Sequence, residues 1–99
     1  MHTVIRTYSG KGASEVMDFI IENKREVKKV MQSMKGFISL SLVKTEDGGF
    51  TVTVAKTERM AEAITLAARE WVVANTKHIK AKAPKVVGGK VLLTIAAAA

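Results

Sequence analysis

The sequence contains no cysteine and one proline, and aromatic residues make up only 5% of its 99 positions. Without cysteine the chain forms neither disulfide bonds nor thiolate metal sites, which is compatible with a reducing cytoplasm. The longest weakly polar run, residues 91–99, is too short to cross a bilayer, and His2 and Arg6 interrupt any N-terminal signal peptide. We therefore predict a cytoplasmic protein with no membrane span.

The residues that are present indicate one folded domain. Hydrophobic residues make up 47% of the chain, which argues against disorder, and its length suits a single modest core. We predict one domain over residues 1–95 and a frayed tail over residues 96–99, because four alanines offer little to pack.

A predicted hairpin over residues 36–56 organises the chain. Asp47-Gly48-Gly49 lies between two alternating apolar runs, which is a strong hairpin signal. We expect a three-residue loop that pairs Leu42 with Val54, because a shift of one residue would mix the two faces. One face would then carry Ile38, Leu40, Leu42, Phe50, Val52 and Val54. The second face would carry Phe37, Ser39, Ser41, Val43, Thr51, Thr53 and Ala55.

The second face of this hairpin has no charged side chain between residues 37–43 and 51–55. The open face of an antiparallel sheet usually carries charge. One interpretation is a partly hydrated Ser/Thr face, and the other is a face covered by a second copy of the chain. The second interpretation makes Phe37, Ser39, Ser41, Val43, Thr51 and Thr53 candidates for a homodimer interface.

Helix and strand patterns flank the hairpin on both sides. Residues 2–8 alternate as a first strand, and an apolar stripe follows from a predicted cap at Ser14 to a left-handed Gly36. Thr57 is predicted to cap a second helix, and residues 86–95 to form a last strand. The order β-α-β-β-α-β predicts a ferredoxin-like α+β fold, with two helices on one face of a four-stranded antiparallel sheet.

Few residues suggest chemistry. His2 and His78 have no carboxylate at ligand spacing, and the serines have no base and acid partners, so we expect no metal site, no cofactor and no serine hydrolase. Trp71 lies on the apolar stripe of the second helix, either as core or as the wall of a ligand pocket. Arg6 and Tyr8 share one side of the first strand, where they are surface residues or an inward polar pair.

Positive charge is concentrated near the end of the chain. The net charge is +7, and residues 77–99 contain five lysines and no acid: Lys77, Lys80, Lys82, Lys85 and Lys90. This lysine segment, residues 77–90, is either a hydrated connection or a surface that recruits an anionic partner. Nucleic acid is not expected, because the first and third strands lack the aromatic platform on which RNA-recognition domains stack bases.

The sequence resembles the dimeric α/β-barrel superfamily, in particular small antibiotic-biosynthesis-monooxygenase-like proteins. The resemblance rests on Val-Ile-Arg-Thr-Tyr at residues 4–8, on residues 36–43, on Asp-Gly-Gly-Phe at residues 47–50, and on Glu-Trp-Val at residues 70–72. It implies two protomers that pack their sheets face to face into a barrel.

The resemblance also implies a range of activities. Members include cofactor-independent oxygenases of polyketide-like phenols and haem-degrading enzymes. The haem-degrading branch uses an Asn on its first strand, where this chain has Arg6 and Thr7, so we do not expect haem cleavage. A monooxygenase-like activity, or binding of a small aromatic or anionic molecule, is expected near Trp71, with Arg6, Tyr8 and His78 as further pocket candidates.

Overall fold

The computed structural model describes residues 1–98. The elements are β1 (His2–Ser9), α1 (Ala13–Glu22), α2 (Lys24–Gln32), β2 (Phe37–Thr45), β3 (Gly48–Ala55), α3 (Glu58–Asn75) and β4 (Lys85–Lys90). The strands form one antiparallel sheet in the order β2-β3-β1-β4, and the helices pack on one face of it. The predicted ferredoxin-like α+β fold is confirmed.

The first predicted helix is divided in two. α1 and α2 meet at Asn23, whose backbone has φ −108° and ψ 26° and whose side-chain amide donates to the carbonyl of Phe19 at 2.9 Å. An Asn side chain that bonds a nearby carbonyl competes with helical continuation. The expected cap at Ser14 is wrong, because the N-cap is Gly12, two residues earlier, with φ 80°.

The predicted start of the last helix is confirmed. The side chain of Thr57 accepts a hydrogen bond from the backbone N–H of Met60 at 3.1 Å, as an N-cap should. The predicted cap at Gly36 is wrong, because α2 ends at Gln32 with Ser33 as its C-cap. Gly36 has φ 81°, the left-handed conformation that favours glycine, but in the turn before β2. A side chain at Gly36 would also collide with Met60, so this glycine is required by space as well.

The predicted register of the hairpin is wrong. β2 and β3 pair Leu42 with Thr51 and Thr45 with Gly48, so the loop has only two residues, Glu46 and Asp47. Gly48 and Gly49 belong to β3, where α1 crosses the sheet closely. A Cβ at Gly48 would lie 2.7 Å from that of Ala13, and one at Gly49 would lie 2.7 Å from the sulfur of Met17. Both glycines therefore serve close packing, and Gly48, with φ 146°, also has a backbone conformation that favours glycine.

The new register changes which side chains share a face. The covered face, which the helices pack on, carries Val4, Arg6, Tyr8, Leu40, Leu42, Thr51, Thr53 and Ala55. The open face carries Thr3, Ile5, Thr7, Ser39, Ser41, Val43, Phe50, Val52, Val54 and Val87. Among the interface candidates, Ser39, Ser41 and Val43 lie on the open face as expected. Thr51 and Thr53 lie on the covered face instead, and Phe37 packs against the core.

The last strand is shorter than predicted. It ends at Lys90, and a single backbone hydrogen bond joins the N–H of Val91 to the carbonyl of Met1 at 3.0 Å. Leu92, Leu93 and Ile95 follow in no regular structure and are highly exposed. The prediction of one domain with a tail at 96–99 stays a prediction, and Ala99 lies outside the described residues.

The core between helices and sheet has two clusters of buried residues. One contains Val4, Met31, Ala55, Ala61 and Ile64. The other contains Tyr8, Ala13, Val16, Met17 and Ile20. Arg6 lies on β1 between Val4 and Tyr8 and therefore between the clusters. Over residues 1–98, no helix combines the length and apolar character needed to cross a membrane.

Candidate functional site

Arg6 and Tyr8 both point inward from β1. Alternation along the strand places them on the covered face with Val4, and each is only 5% exposed. The orientation that the sequence left open is therefore the inward one. On the neighbouring strands, Arg6 lies opposite Thr51 of β3 and Val86 of β4. A charged side chain thus occupies the middle of the sheet under the helices.

The two side chains form a hydrogen-bonded pair. Nη2 of Arg6 donates to the hydroxyl of Tyr8 at 2.9 Å, and Nη1 donates to the backbone carbonyl of Thr65 on α3 at 3.3 Å. The guanidinium carbon lies 5.7 Å from the centre of the Tyr8 ring. Burial raises the pKa of Tyr8 and the positive charge of Arg6 only partly opposes this, so the hydroxyl is protonated at neutral pH.

A small inner cavity lies between the helices and the sheet beside this pair. Its volume is about 40 Å³, enough for a few water molecules but not for an aromatic ring. The polar groups of Arg6, Tyr8, Thr51, Thr53 and Thr65 line it among apolar side chains from α1, α2, α3 and β2: Ile20, Val27, Val30, Met31, Leu40, Ala68, Trp71 and Val72.

A larger outer pocket is lined by the same pair. Its volume is about 410 Å³, within the range of sites that bind small molecules. It is bounded by α3, β4 and the segment between them, and its walls include Val16, Val72, Val73, Ile79, Ala81, Pro84 and Val86. Arg6, Tyr8 and Thr65 line both spaces, while Arg69 and Lys82 line only the outer pocket.

Trp71 and His78, the other two predicted pocket residues, lie in different places. Trp71 lines the inner cavity, and its indole N–H donates to Glu26 Oε1 at 3.1 Å. Its ring packs on Phe19 with centroids 5.9 Å apart. His78 is exposed, lies edge-on to Phe19 at 5.5 Å, and lines neither space. The fold thus brings together Arg6, Tyr8 and Trp71, but leaves His78 outside.

Sequence reasoning missed Thr65 and Arg69 at this site. Both are on α3, where a threonine and an arginine outside the apolar stripe are ordinary surface residues. Only the docking of α3 over β1 gives them this position. Lys82 was noticed only as part of the lysine segment, because nothing in the sequence shows that this segment folds back over Tyr8 and Val16.

The described residues contain no cluster of three or more His, Cys, Asp or Glu side chains that could hold a metal ion. What the site offers is hydrogen-bond donors and positive charge. Neither space has a histidine or a carboxylate in its lining, so neither offers a side chain that titrates near neutral pH as a general base.

Several solved structures share this fold. A proposed antibiotic biosynthesis monooxygenase from Deinococcus radiodurans superposes with a TM-score of 0.71 at 12% identity, covering 100% of both chains. A mutant of MhuD with two manganese protoporphyrin IX molecules per active site gives 0.68 at 15% identity, covering 97% of this chain and 98% of that one. SnoaB, a cofactor-independent oxygenase from Streptomyces nogalater, gives 0.65 at 11% identity, covering 95% of each.

No family model matches the sequence, and no curated protein is similar to it. At these identities the likeness shows the fold alone. The chain has the same fold as these proteins, one of which is a proposed antibiotic biosynthesis monooxygenase, in agreement with the resemblance of its sequence.

MhuD has the same fold and binds a porphyrin, so the size and the side chains of the two spaces can be compared with what a haem requires. The inner cavity, at about 40 Å³, is far smaller than a porphyrin. An axial imidazole is absent from the linings of both spaces, since His78 lies on Phe19 and the imidazole of His2 lies next to Gly88. The residues present around the two spaces therefore do not fit a haem.

Proposed function

We propose that this protein is a homodimer that binds a small aromatic molecule in the outer pocket, next to Arg6 and Tyr8, and that it supports oxygenase-like chemistry without a bound cofactor. The observation that carries the proposal is an apolar pocket of about 410 Å³ that ends on a buried pair of polar side chains. Pockets of this kind, with apolar walls and a few convergent polar groups, are typical ligand sites.

The fold supports the oxygenase-like part of the proposal. SnoaB has the same fold and is a cofactor-independent oxygenase. In such chemistry the substrate itself would supply the electrons that reduce O2. Because no histidine or carboxylate lines either space, the protein would contribute orientation and exclusion of water. Here the apolar walls would exclude water, and the protonated Tyr8 hydroxyl would act as a hydrogen-bond donor rather than as a base, because burial raises its pKa.

Binding can be tested by the fluorescence of Trp71, which is the only tryptophan of the chain and lines the adjoining inner cavity. We expect members of a panel of phenols and quinones to change this emission in a saturable way. Calorimetry would detect binding that leaves the emission unchanged, and oxygen uptake with the tightest ligand would test turnover. If no panel member binds by either method, the proposal is wrong.

A pair of variants separates the outer pocket from the rest of the surface. Ala81→Phe would fill the pocket, because Ala81 is half-buried in its wall. Ala74→Phe places the same ring on an exposed part of α3 that does not line the pocket. We expect the first variant to abolish binding and the second to retain it. Equal behaviour of the two variants would argue against this pocket.

The open face supports the homodimer. It contains Ile5, Val43, Phe50, Val52 and Val54 together with serines and threonines, and its only charge is Lys85 at one end. A second copy is the natural cover for an apolar face of a sheet this size. We expect sedimentation to give a dimer at micromolar concentration, and a monomer would contradict the proposal.

A second candidate function is the recruitment of an anionic partner by the lysine segment. Its five lysines are exposed, and none is in an ion pair within the described residues. If this were the main function, binding to acidic vesicles would be strong at low ionic strength and would fall with added salt. Absence of salt-sensitive binding would eliminate it.

Nucleic acid is a less suitable partner for this segment, since Phe50 is the only aromatic side chain that β1 and β3 place on the open face. A cytoplasmic location also stays a proposal, based on the lack of cysteine.

A further inference from the structure

Arg6 is a buried cation without a counter-charge. It is 5% exposed, and its Nε has no hydrogen-bond partner within the described residues. The one ion pair of the part of the chain that the structure describes, Lys44 with Asp18, lies elsewhere on the surface. An arginine cannot lose its proton to escape this situation, as a buried lysine can. Among the described residues its charge meets only the Thr65 carbonyl and the hydroxyl and ring of Tyr8, and no carboxylate, so an anion from outside the chain would be favoured here.

Two other polar groups beside Arg6 also have unused hydrogen-bonding capacity. The hydroxyl of Thr65 is buried and has no partner in residues 1–98. The hydroxyl of Tyr8 accepts a hydrogen bond from Arg6, and no hydrogen bond to an acceptor is found for its own proton among the described residues. Buried polar groups in native proteins normally have partners, so three such groups in one place indicate a missing one. The three residues line the outer pocket as well as the inner cavity.

The charges around the outer pocket have one sign. Arg69 and Lys82 line it in addition to Arg6, and no carboxylate does. Glu58 and Glu62 line an adjoining groove, which shares Thr65, Arg69 and Val86 with the outer pocket. Pockets lined by one sign of charge raise the local concentration of ligands of the opposite sign.

We propose that the ligand of the outer pocket is an aromatic carboxylate, bound with its carboxylate oxygens against the guanidinium of Arg6 and the hydroxyls of Tyr8 and Thr65. This inference deepens the proposed function and rests on its claim that the outer pocket holds a ligand. A guanidinium presents a planar fork of donors that matches a carboxylate, and such charge-assisted hydrogen bonds are the strong ones.

The lack of a base in the pocket supports the same class of ligand. A phenol could supply a negative charge beside Arg6 only by losing its proton, and no histidine or carboxylate lines either space to take it. A carboxylic acid is already ionised at neutral pH. The ring would lie among Val16, Val72, Ile79 and Pro84, and Arg69 and Lys82 would attract the anion to the pocket.

The test compares two ligands of nearly the same shape, 2-naphthoate and 2-naphthamide, which differ in charge. Calorimetry with the whole chain at neutral pH should give an affinity for the carboxylate that is about tenfold to a hundredfold higher. Arg6→Met should remove this preference while leaving the weak binding of the amide. Equal binding of the two ligands by the natural protein would overturn the inference but not the proposed pocket. Failure of both ligands, and of the phenols and quinones above, would overturn both.

Variants of exposed lysines test the inference without touching the interior. Lys82→Met removes a charge that lines the outer pocket, whereas Lys77→Met removes one that does not. We expect the first to weaken naphthoate binding by about twofold to fivefold, an effect that added salt reduces, and the second to leave it unchanged. Equal losses from both variants would show that only the overall charge matters, and would contradict a built carboxylate site.

Discussion

The two faces of the sheet differ in the opposite sense to the usual one. The covered face, under the helices, carries Arg6, Thr51 and Thr53 at its centre, while the open face carries Ile5, Val52 and Val54. A typical sheet of this kind buries its apolar side and exposes its polar side. Polar groups kept in the interior at a cost in stability indicate a site. Apolar groups left outside indicate a surface that something covers.

The largest expected effect comes from placing a charge on the open face. Val52→Lys should weaken the proposed dimer by several kcal/mol, at least about a hundredfold, because each protomer would bury an unpaired and like charge in the interface. Sedimentation over a range of concentrations would measure the change. The control is Leu66→Lys on exposed α3, which should leave the dimer intact. A dimer unaffected by Val52→Lys would show that the open face is not the interface.

An effect of intermediate size is expected on the covered face, where removal of a charged side chain should stabilise the protein. Replacing Arg6 by Met should raise the free energy of unfolding without ligand by about 1–4 kcal/mol, because an uncompensated charge is replaced by an apolar side chain. Urea denaturation at one fixed protein concentration would measure it. Arg69→Met, on the exposed side of α3, should change stability by no more than about 0.5 kcal/mol. A large loss of stability from Arg6→Met would show that Arg6 is structural.

The smallest effect concerns Tyr8 and alkaline pH. Because burial raises the folded-state pKa of Tyr8 above its ordinary value of 10.0, the folded form retains a proton that the unfolded chain releases. The stability from this group is fully present below pH 10 and is lost as the pH rises through the folded-state pKa. Tyr8→Phe should remove that part of the alkaline decline. Parallel curves for the two proteins above pH 10 would contradict this account of Tyr8.

The topology can be predicted from the sequence because residues close in the chain specify where its helices and turns begin and end. Thr57 specifies the start of α3 through a contact with a near neighbour in the chain, and Gly36 specifies the turn before β2 through its own backbone conformation. The register of the hairpin could not be predicted in this way, because Gly48 and Gly49 look like turn residues in the sequence. Their actual role depends on Ala13 and Met17 of α1, which lie far away in the sequence.

The candidate site could be predicted only in part for the same reason. Arg6 and Tyr8 share one side of β1 by simple alternation, so their association was foreseeable. Their inward direction was not, since the apolar Ile5 next to Arg6 points to the other side of the strand and would ordinarily be taken for the buried residue. Thr65 and Lys82 join them only through the docking of α3 and of the lysine segment.

The position of β1 in the sheet also determines the order in which the site is completed. β1 precedes in the chain both strands that it pairs with, and Arg6 lies between Thr51 and Val86. β2 and β3 can pair through a two-residue loop, but the last wall of the outer pocket arrives with Pro84 and Val86. Contacts between distant parts of a chain form slowly, because a long loop must close first. During folding, ligand binding should therefore appear last, and a slow rise in binding would report the arrival of β4.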